Sequence, residues 1–291
     1  MTRRLQFTLL TMGALLLLPW AIAARAETPG YAGTELCAEC HEDTATDFAH
    51  SVHGRATLED WSGVETCESC HGPGEAHVEE GDPELIRTFA NLPASEANEA
   101  CMTCHNGPEQ AYWHGSEHQG QDMACTDCHG LHQPWTSDQA LANKNSTEMC
   151  LSCHTDQRKS LHARSNHPLK YGQMSCDDCH NPHGSPIEAN IDAQSVNEVC
   201  WGCHAETRGP FLWEHAPVRE SCLTCHDAHS SNQTKLLVMA APRLCQSCHL
   251  FGHHQTVPGL DDQAWNVNRS CVNCHPRIHG SNHPSGIVLM R

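Results

Sequence analysis

Apolar residues crowd one stretch of this chain and are thin everywhere else. The run from Leu9 to Ala23 is almost wholly apolar, follows Arg3 and Arg4, and leads into Ala24-Arg25-Ala26. A basic start, an apolar run and an A-x-A site are the parts of a secretory signal peptide, with cleavage expected before Glu27. The run falls short of the roughly 20 residues that span a bilayer. Residues 1–26 are therefore expected to be a cleaved export signal rather than an anchor. No later segment is apolar enough to span either, so a soluble mature chain is expected.

Past residue 26 no stretch alternates apolar and polar positions over more than a few residues, which argues against strands. Helical signals are short. Ser195-Val-Asn-Glu198 matches a capping box and predicts a short helix entering Cys200. Gly, Pro, Asn and Asp recur between such segments, as in Gly72-Pro73-Gly74 and Asn181-Pro182. The pattern predicts short α-helices and irregular segments with almost no β-sheet. Aromatic residues are 5% of the chain, and with sparse Leu, Ile and Val they cannot build an ordinary core for this length. Something other than side chains must fill the interior.

The cysteines name it. All 20 fall into pairs with two residues between them: Cys37/Cys40, Cys67/Cys70, Cys101/Cys104, Cys125/Cys128, Cys150/Cys153, Cys176/Cys179, Cys200/Cys203, Cys222/Cys225, Cys245/Cys248 and Cys271/Cys274. Each pair is followed at once by a histidine: His41, His71, His105, His129, His154, His180, His204, His226, His249 and His275. C-x-x-C-H is the attachment pattern of haem c. Its thiols bond the two vinyl groups of one haem, and the histidine is the proximal iron ligand. A thioredoxin-like redox pair or a zinc ribbon needs no histidine after the second cysteine. Ten copies with no cysteine left over predict ten covalent haems on the 265 residues that cleavage after residue 26 leaves. The haems are then the core and the polypeptide their wrapping, so folding is expected to be coupled to haem attachment.

The motifs repeat in pairs. First motifs begin at Cys37, Cys101, Cys150, Cys200 and Cys245, second motifs at Cys67, Cys125, Cys176, Cys222 and Cys271. Residues 27–291 thus read as one decahaem domain of five two-haem units. Two sets of further histidines keep the same period. One follows each second motif: His77, His132, His183, His229 and His279. The other lies between the two motifs of a unit: His53, His118, His167, His215 and His253. These ten are the expected distal ligands, two to a unit and placed to close both of its irons. A Ser-x-His pattern (Ser51, Ser116, Ser165) favours His53, His118 and His167 over His50, His114 and His162. His254 competes with His253, and His283 with His279. The methionines do not follow the repeat and are expected to pack.

With both axial positions filled by imidazole, no iron is open to substrate, and electron transfer is expected rather than catalysis. Charge narrows the partners. The signal segment carries three of the positive charges, so its loss takes the net charge from −18 to −21, which argues against nucleic acid.

Three stretches, HGSEHQGQDMACTDCHGLH (114–132), SNHPLKYGQMSCDDCHNPHG (165–184) and SCVNCHPRIHGSNHPSG (270–286), resemble the MtrA/DmsE family of decahaem cytochromes. The resemblance covers essentially the whole mature chain. It implies an elongated haem wire in the periplasm, held inside an outer-membrane β-barrel porin. The implied redox partners are periplasmic or inner-membrane cytochromes on one side and an extracellular multihaem cytochrome or surface reductase on the other. A polar barrel interior would suit an acidic chain. Two alternatives remain: a soluble periplasmic electron shuttle, and a multihaem reductase of the nitrite or hydroxylamine type. The second needs an open iron, and no C-x-x-C-K occurs.

Overall fold

The computed structural model describes residues 30–59, 66–133, 141, 146–249 and 270–291; the expected export signal, His253 and His254 lie outside them. Each of five helices carries the first motif of a unit: α1 (Thr34–Cys40), α2 (Ala94–Met102), α3 (Ser146–Cys153), α4 (Val196–Cys203) and α5 (Ala241–Gln246). α4 is the helix expected from the capping residues, and the Ser195 hydroxyl accepts from the Glu198 N–H at 3.2 Å. The second motifs occupy single turns, helical at Glu68–His71 and Cys125–Cys128 and 3₁₀ at Cys176–Asp178, Cys222–Thr224 and Cys271–Asn273. The only strands among the described residues are β1 (Ser165–Asn166) and β2 (Ser230–Ser231), antiparallel with Ser165 opposite Ser231. The expectation of short helices and almost no sheet is met.

Among the described residues, only Ala97 and Trp113 are buried hydrophobic side chains. An ordinary chain of this length would bury dozens. What the helices cover is mostly polar: Ser51, Glu68, Asn98, Ser116, Asn197 and Ser281 are all buried. These groups hold segments of backbone to one another, and the apolar interior has to come from elsewhere.

Two kinds of contact order the motifs. Within each unit, the first cysteine of one motif is within hydrogen-bonding reach of the first cysteine of the other: Cys37 with Cys67, Cys101 with Cys125, Cys150 with Cys176, Cys200 with Cys222, and Cys245 with Cys271. Between units, second cysteines approach: Cys70 and Cys104, Cys128 and Cys153, Cys179 and Cys203, Cys225 and Cys248. Alternating the two contacts sets the motifs one after another in chain order.

The Ser-x-His pattern marks the boundary between units. Ser165 pairs with Ser231, and Trp213, at the same place in the fourth unit, pairs with Ser281. In each case the residue two before the linker histidine meets the residue two after the post-motif histidine of the next unit. At the boundary of the second and third units Gly184 stands against Ser116. Its φ is 108°, and a Cβ there would lie 2.4 Å from the Tyr112 carbonyl oxygen. Only glycine fits that approach.

Candidate haem sites

The motif geometry follows from one turn of helix. In all ten motifs the histidine N–H donates to the carbonyl of the first cysteine, at 2.8–3.0 Å. Residues i, i+3 and i+4 of such a turn share a face. Both thiols and the imidazole are thereby presented to one side.

The polypeptide covers the two cysteines of a motif unequally. Every first cysteine is half-buried, but the second cysteine of every first motif (Cys40, Cys104, Cys153, Cys203, Cys248) is exposed. Among the second motifs Cys70, Cys128, Cys179 and Cys225 are half-buried, and Cys274 departs from them by being exposed. Those four each lie within electrostatic range of a second cysteine of the following unit. Sequence reasoning treated Cys271/Cys274 as equivalent to the other nine pairs. Their shared turn bears that out, with His275 bonded to the Cys271 carbonyl at 2.9 Å, whereas the surroundings of Cys274 do not.

Across nine of these faces stands a second imidazole. The motif histidines are paired ring to ring: His41 with His77 (6.3 Å between ring centres), His71 with His132 (5.9 Å), His105 with His53 (5.7 Å), His129 with His183 (6.1 Å) and His154 with His118 (6.2 Å). The series continues with His180 and His229 (5.9 Å), His204 and His167 (6.4 Å), His226 and His279 (6.2 Å), and His249 and His215 (6.2 Å). Two metal–imidazole bonds of about 2.0–2.1 Å on opposite sides of one ion, plus about 1.1 Å from each nitrogen to its ring centre, put ring centres about 6.3 Å apart. The pairs match that spacing. Among the described residues no group of three or more His, Cys, Asp and Glu side chains converges on a point; two facing imidazoles are the set that the axial positions of a porphyrin iron would take.

Hydrogen bonds fix the rings. The Nδ1 atoms of His71, His180, His226 and His275 face the carbonyls of Arg87, Ala189, Lys235 and Val288 at 2.7–2.8 Å. A proton held on Nδ1 leaves the Nε2 lone pair for a metal. Ala189 and Lys235 adopt left-handed φ values of 60° and 59°, and this strained backbone aims the two carbonyls. His118, His167 and His215 face the carbonyls of Pro182, Ala228 and Ile278 at 2.8–3.1 Å. Those residues immediately precede His183, His229 and His279, so the two histidines that cross a boundary are bonded to one another through one peptide group. Burial first, and the facing imidazole second, hold His53, His132, His183, His229 and His279 below the ordinary histidine value. The shift favours the neutral imidazole, the form that can bind a metal.

The pairing departs from the expectation that each unit closes its own two sites. The linker histidine of one unit crosses to the first motif of the next, and the post-motif histidine of that next unit crosses back to the second motif. His77, which faces His41 in its own unit, is the exception among the described pairs. His50, His114, His162 and His283 are not among the nine pairs. The imidazole expected to face His275, from His253 or His254, lies outside the described residues.

Sequence reasoning passed over two contributors. Asn98 and Asn197 each stand three residues before a first-motif cysteine, in EANEAC and SVNEVC. Their side-chain oxygens accept from the Cys125 and Cys222 N–H groups at 2.7 and 2.8 Å, and their amides donate to the Met123 and Arg219 carbonyls. Each clamps the two motifs of a unit together. The shared A/V-N-E-A/V-C spacing was the available signal. Trp113, one of the tryptophans expected from the sequence to pack on haem edges, has a buried indole N–H with no acceptor among the described residues, while its ring lies edge-on to His183. An orphaned donor beside an imidazole pair fits a bound group carrying acceptor oxygens, as haem propionates do. An open groove beside His71, lined by Leu85, Ile86 and Leu92 together with Glu84, Arg87 and Asn91, gives that imidazole a partly apolar wall.

Paired imidazoles over adjacent thiols, in a chain with almost no side-chain core among its described residues, define a multihaem c-type cytochrome, which transfers electrons through covalently bound haem. Along its length the chain is 42% identical over 274 residues to the multihaem cytochrome MtrA of Shewanella baltica (strain OS185), covering 89% of this chain and 81% of that protein. The chain belongs to the MtrA family of multihaem cytochromes. It is also 32% identical over 126 residues to the cytochrome c-type protein NrfB of Escherichia coli O6:H1 (strain CFT073), covering 42% and 65% of the two chains. The doubled CXXCH motif family matches residues 166–209 and 215–251, and the NrfB-like cytochrome c-type family matches residues 67–153.

Proposed function

We propose that the chain is a row of ten bis-histidine haems that conducts electrons from one end to the other, without catalysis at any iron. The observation that carries this reading is the alternation of cysteine proximity, by hydrogen-bonding reach within a unit and by electrostatic influence between units, which supports neighbouring sites following one another in chain order. The bound haems supply a one-electron Fe(III)/Fe(II) couple. The polypeptide fixes their order, their axial ligands and their exclusion from substrate. The cysteines of the ten motifs, from Cys37/Cys40 to Cys271/Cys274, hold the haems, and the motif histidines are proximal ligands. The distal ligands are His77, His132, His53, His183, His118, His229, His167, His279 and His215 for the first nine, with His253 or His254 for the tenth.

The row serves as a conduit between compartments. The expected export signal supports a periplasmic location, and the resemblance to decahaem cytochromes supports one inside an outer-membrane β-barrel porin. There it would take electrons from periplasmic or inner-membrane cytochromes and deliver them to an extracellular multihaem cytochrome or surface reductase, or run in reverse. No helix among the described residues is long and apolar enough to cross a membrane. Access to the far side would therefore come from a partner.

Affinity purification of the tagged holoprotein from detergent-solubilised outer membranes tests the conduit. A porin should co-purify in a fixed ratio with a cytochrome whose mass reports ten haems. Recovery of the protein alone from the soluble periplasmic fraction, with no porin in the membrane fraction, would sink it in favour of a diffusing shuttle.

A further inference from the structure

Among the described residues one buried charge has no counter-ion. Glu68 lies between Cys67 and Cys70 and is 3% exposed. Its carboxylate accepts three backbone N–H bonds, from Ala32 at 2.8 Å, Gly33 at 3.0 Å and Gly74 at 2.7 Å. None of the ion pairs among the described residues includes it. Five acids stand between motif cysteines: Glu39, Glu68, Asp127, Asp177 and Asp178. Only Glu68 is buried. It is also close enough to Cys37 to act on that thiol electrostatically. The carboxylate thus lies in the loop of the second motif and within electrostatic range of the first motif's Cys37 thiol.

Three N–H donors converging on one carboxylate stabilise its charged form, more than offsetting the cost of burial, so it is held below its ordinary value. A charge kept out of water is poorly screened and acts strongly on its neighbours. Reduction of a nearby haem iron from Fe(III) to Fe(II) adds one electron and removes one positive charge, which an adjacent anion opposes.

We propose that Glu68 is a fixed anion that lowers the reduction potential of the two haems attached at Cys37/Cys40 and Cys67/Cys70, making the first unit a low-potential end of the row. The proposal rests on haem attachment at those two motifs. Glu68 touches no reacting atom and is a positioning residue that acts through charge. The plain alternative is that Glu68 only ties the backbone at residues 32, 33 and 74 together.

Spectroelectrochemical titration of the holoprotein separates the two. In Glu68→Gln the amide oxygen can still accept from Ala32 and Gly74, but the charge is gone. A fifth of the titrating haem absorbance should move to higher potential, with at least a tenfold change in the oxidised-to-reduced ratio at fixed poise, or 59 mV for a one-electron centre. Glu68→Asp, which keeps the charge and disturbs the bonds, should stay with the parent. Asp127→Asn, which removes an exposed acid in a comparable loop, should superimpose on the parent. Ala32→Lys, which brings an ammonium to the carboxylate without removing it, should move the same fifth upward, and it decides the matter should the Gln variant lose its haems. A Gln variant with a full haem complement that superimposes on the parent would overturn the proposal. So would an Asp variant that moves as far as Gln. Haem mass, counted separately on the parent, reports on the attachment reading independently of either result.

Discussion

Replacing His183 by alanine discriminates sharply between ligand exchange and self-contained units. His183 belongs to the third unit but stacks over His129 of the second, 6.1 Å between centres and 20° between planes. Removing it should open one iron, the one attached at Cys125/Cys128, and leave its neighbour closed. The neighbour's distal histidine, His118, holds its orientation through the Pro182 carbonyl, a backbone group that the substitution leaves in place. The effect is therefore one site in ten motifs, about a tenth of the haem, and not two. Carbon monoxide titration of the reduced variant should give one site per chain, against none in the parent, and the oxidised variant should show a matching high-spin signal that added imidazole removes. Assignment comes from a background in which Cys125 and Cys128 are alanine and the haem between them is absent. There His183→Ala should add no carbon monoxide site. A site that persists in that background would mean that His183 serves its own unit, and the exchange would be wrong.

Further outcomes follow from the same geometry. Six of the nine ring pairs lie within 30° of parallel, while His53–His105, His118–His154 and His167–His204 are at 78°, 61° and 52°. Crossed imidazole planes bring the iron dπ orbitals close in energy and broaden the low-spin ferric resonance. About a third of the described haem signal should accordingly fall in a strongly anisotropic class, and a spectrum with a single parallel-plane species would contradict the ring orientations. Asn197→Ala leaves the Cys222 N–H without its acceptor, at a cost of about 1–3 kcal/mol. The guanidinium midpoint of the holoprotein should fall accordingly, with Asn197→Asp intermediate because it keeps the acceptor; an unchanged midpoint for both would show that the clamp carries no stability.

The parts legible in the sequence were those set by local geometry. C-x-x-C-H has its meaning within one turn of helix, so ten motifs that form that turn could be read off directly, and the Ser195 cap located α4 for the same reason. Local geometry does not report surroundings, which is why the exposure of Cys274 beside four half-buried counterparts could not be read from its motif. The periodic histidines were legible as a set, and the structure brings His53, His77, His118, His132, His167, His183, His215, His229 and His279 to motif histidines. Which motif each faces was not legible. A repeat carrying two extra histidines per unit has the same sequence pattern whether those histidines turn inward or cross to a neighbour. The choice depends on how units stack, and that is decided by Ser165 against Ser231, Trp213 against Ser281 and Gly184 against Ser116. Ser-x-His was read as a mark of the ligand. It marks the seam between units, and the histidine two residues on crosses that seam. Glu68 was invisible for another reason: five acids stand between motif cysteines in this sequence, and only the fold buries one of them.

Exchange of ligands across the seams answers how a chain with two buried hydrophobic side chains among its described residues can hold a fixed row. Among the described residues, adjacent units share short strands, isolated bridges and a few hydrogen bonds, such as those from the Leu212 N–H to Asn282 and from the Trp213 indole to the His283 carbonyl, each worth about 0.5–1.5 kcal/mol net, and a surface that small would not keep two bodies in register. Two crossing histidines replace it. Each is fixed at its own unit by the backbone and, in the proposed holoprotein, at the neighbouring unit by an iron, and the Nδ1–H···O=C bond between their segments sets the angle at which they cross. The attachment that provides the redox centres then also provides the joint, so neighbouring haems cannot separate without loss of an axial ligand. In the first unit the post-motif histidine turns inward instead: His77 faces His41, its Nδ1 on the Asp82 carbonyl at 2.9 Å, and the same unit holds the buried Glu68. That unit is distinguished from the inner ones in both its ligand source and its charge, which are the two features a terminal entry or exit point for electrons would need to differ in.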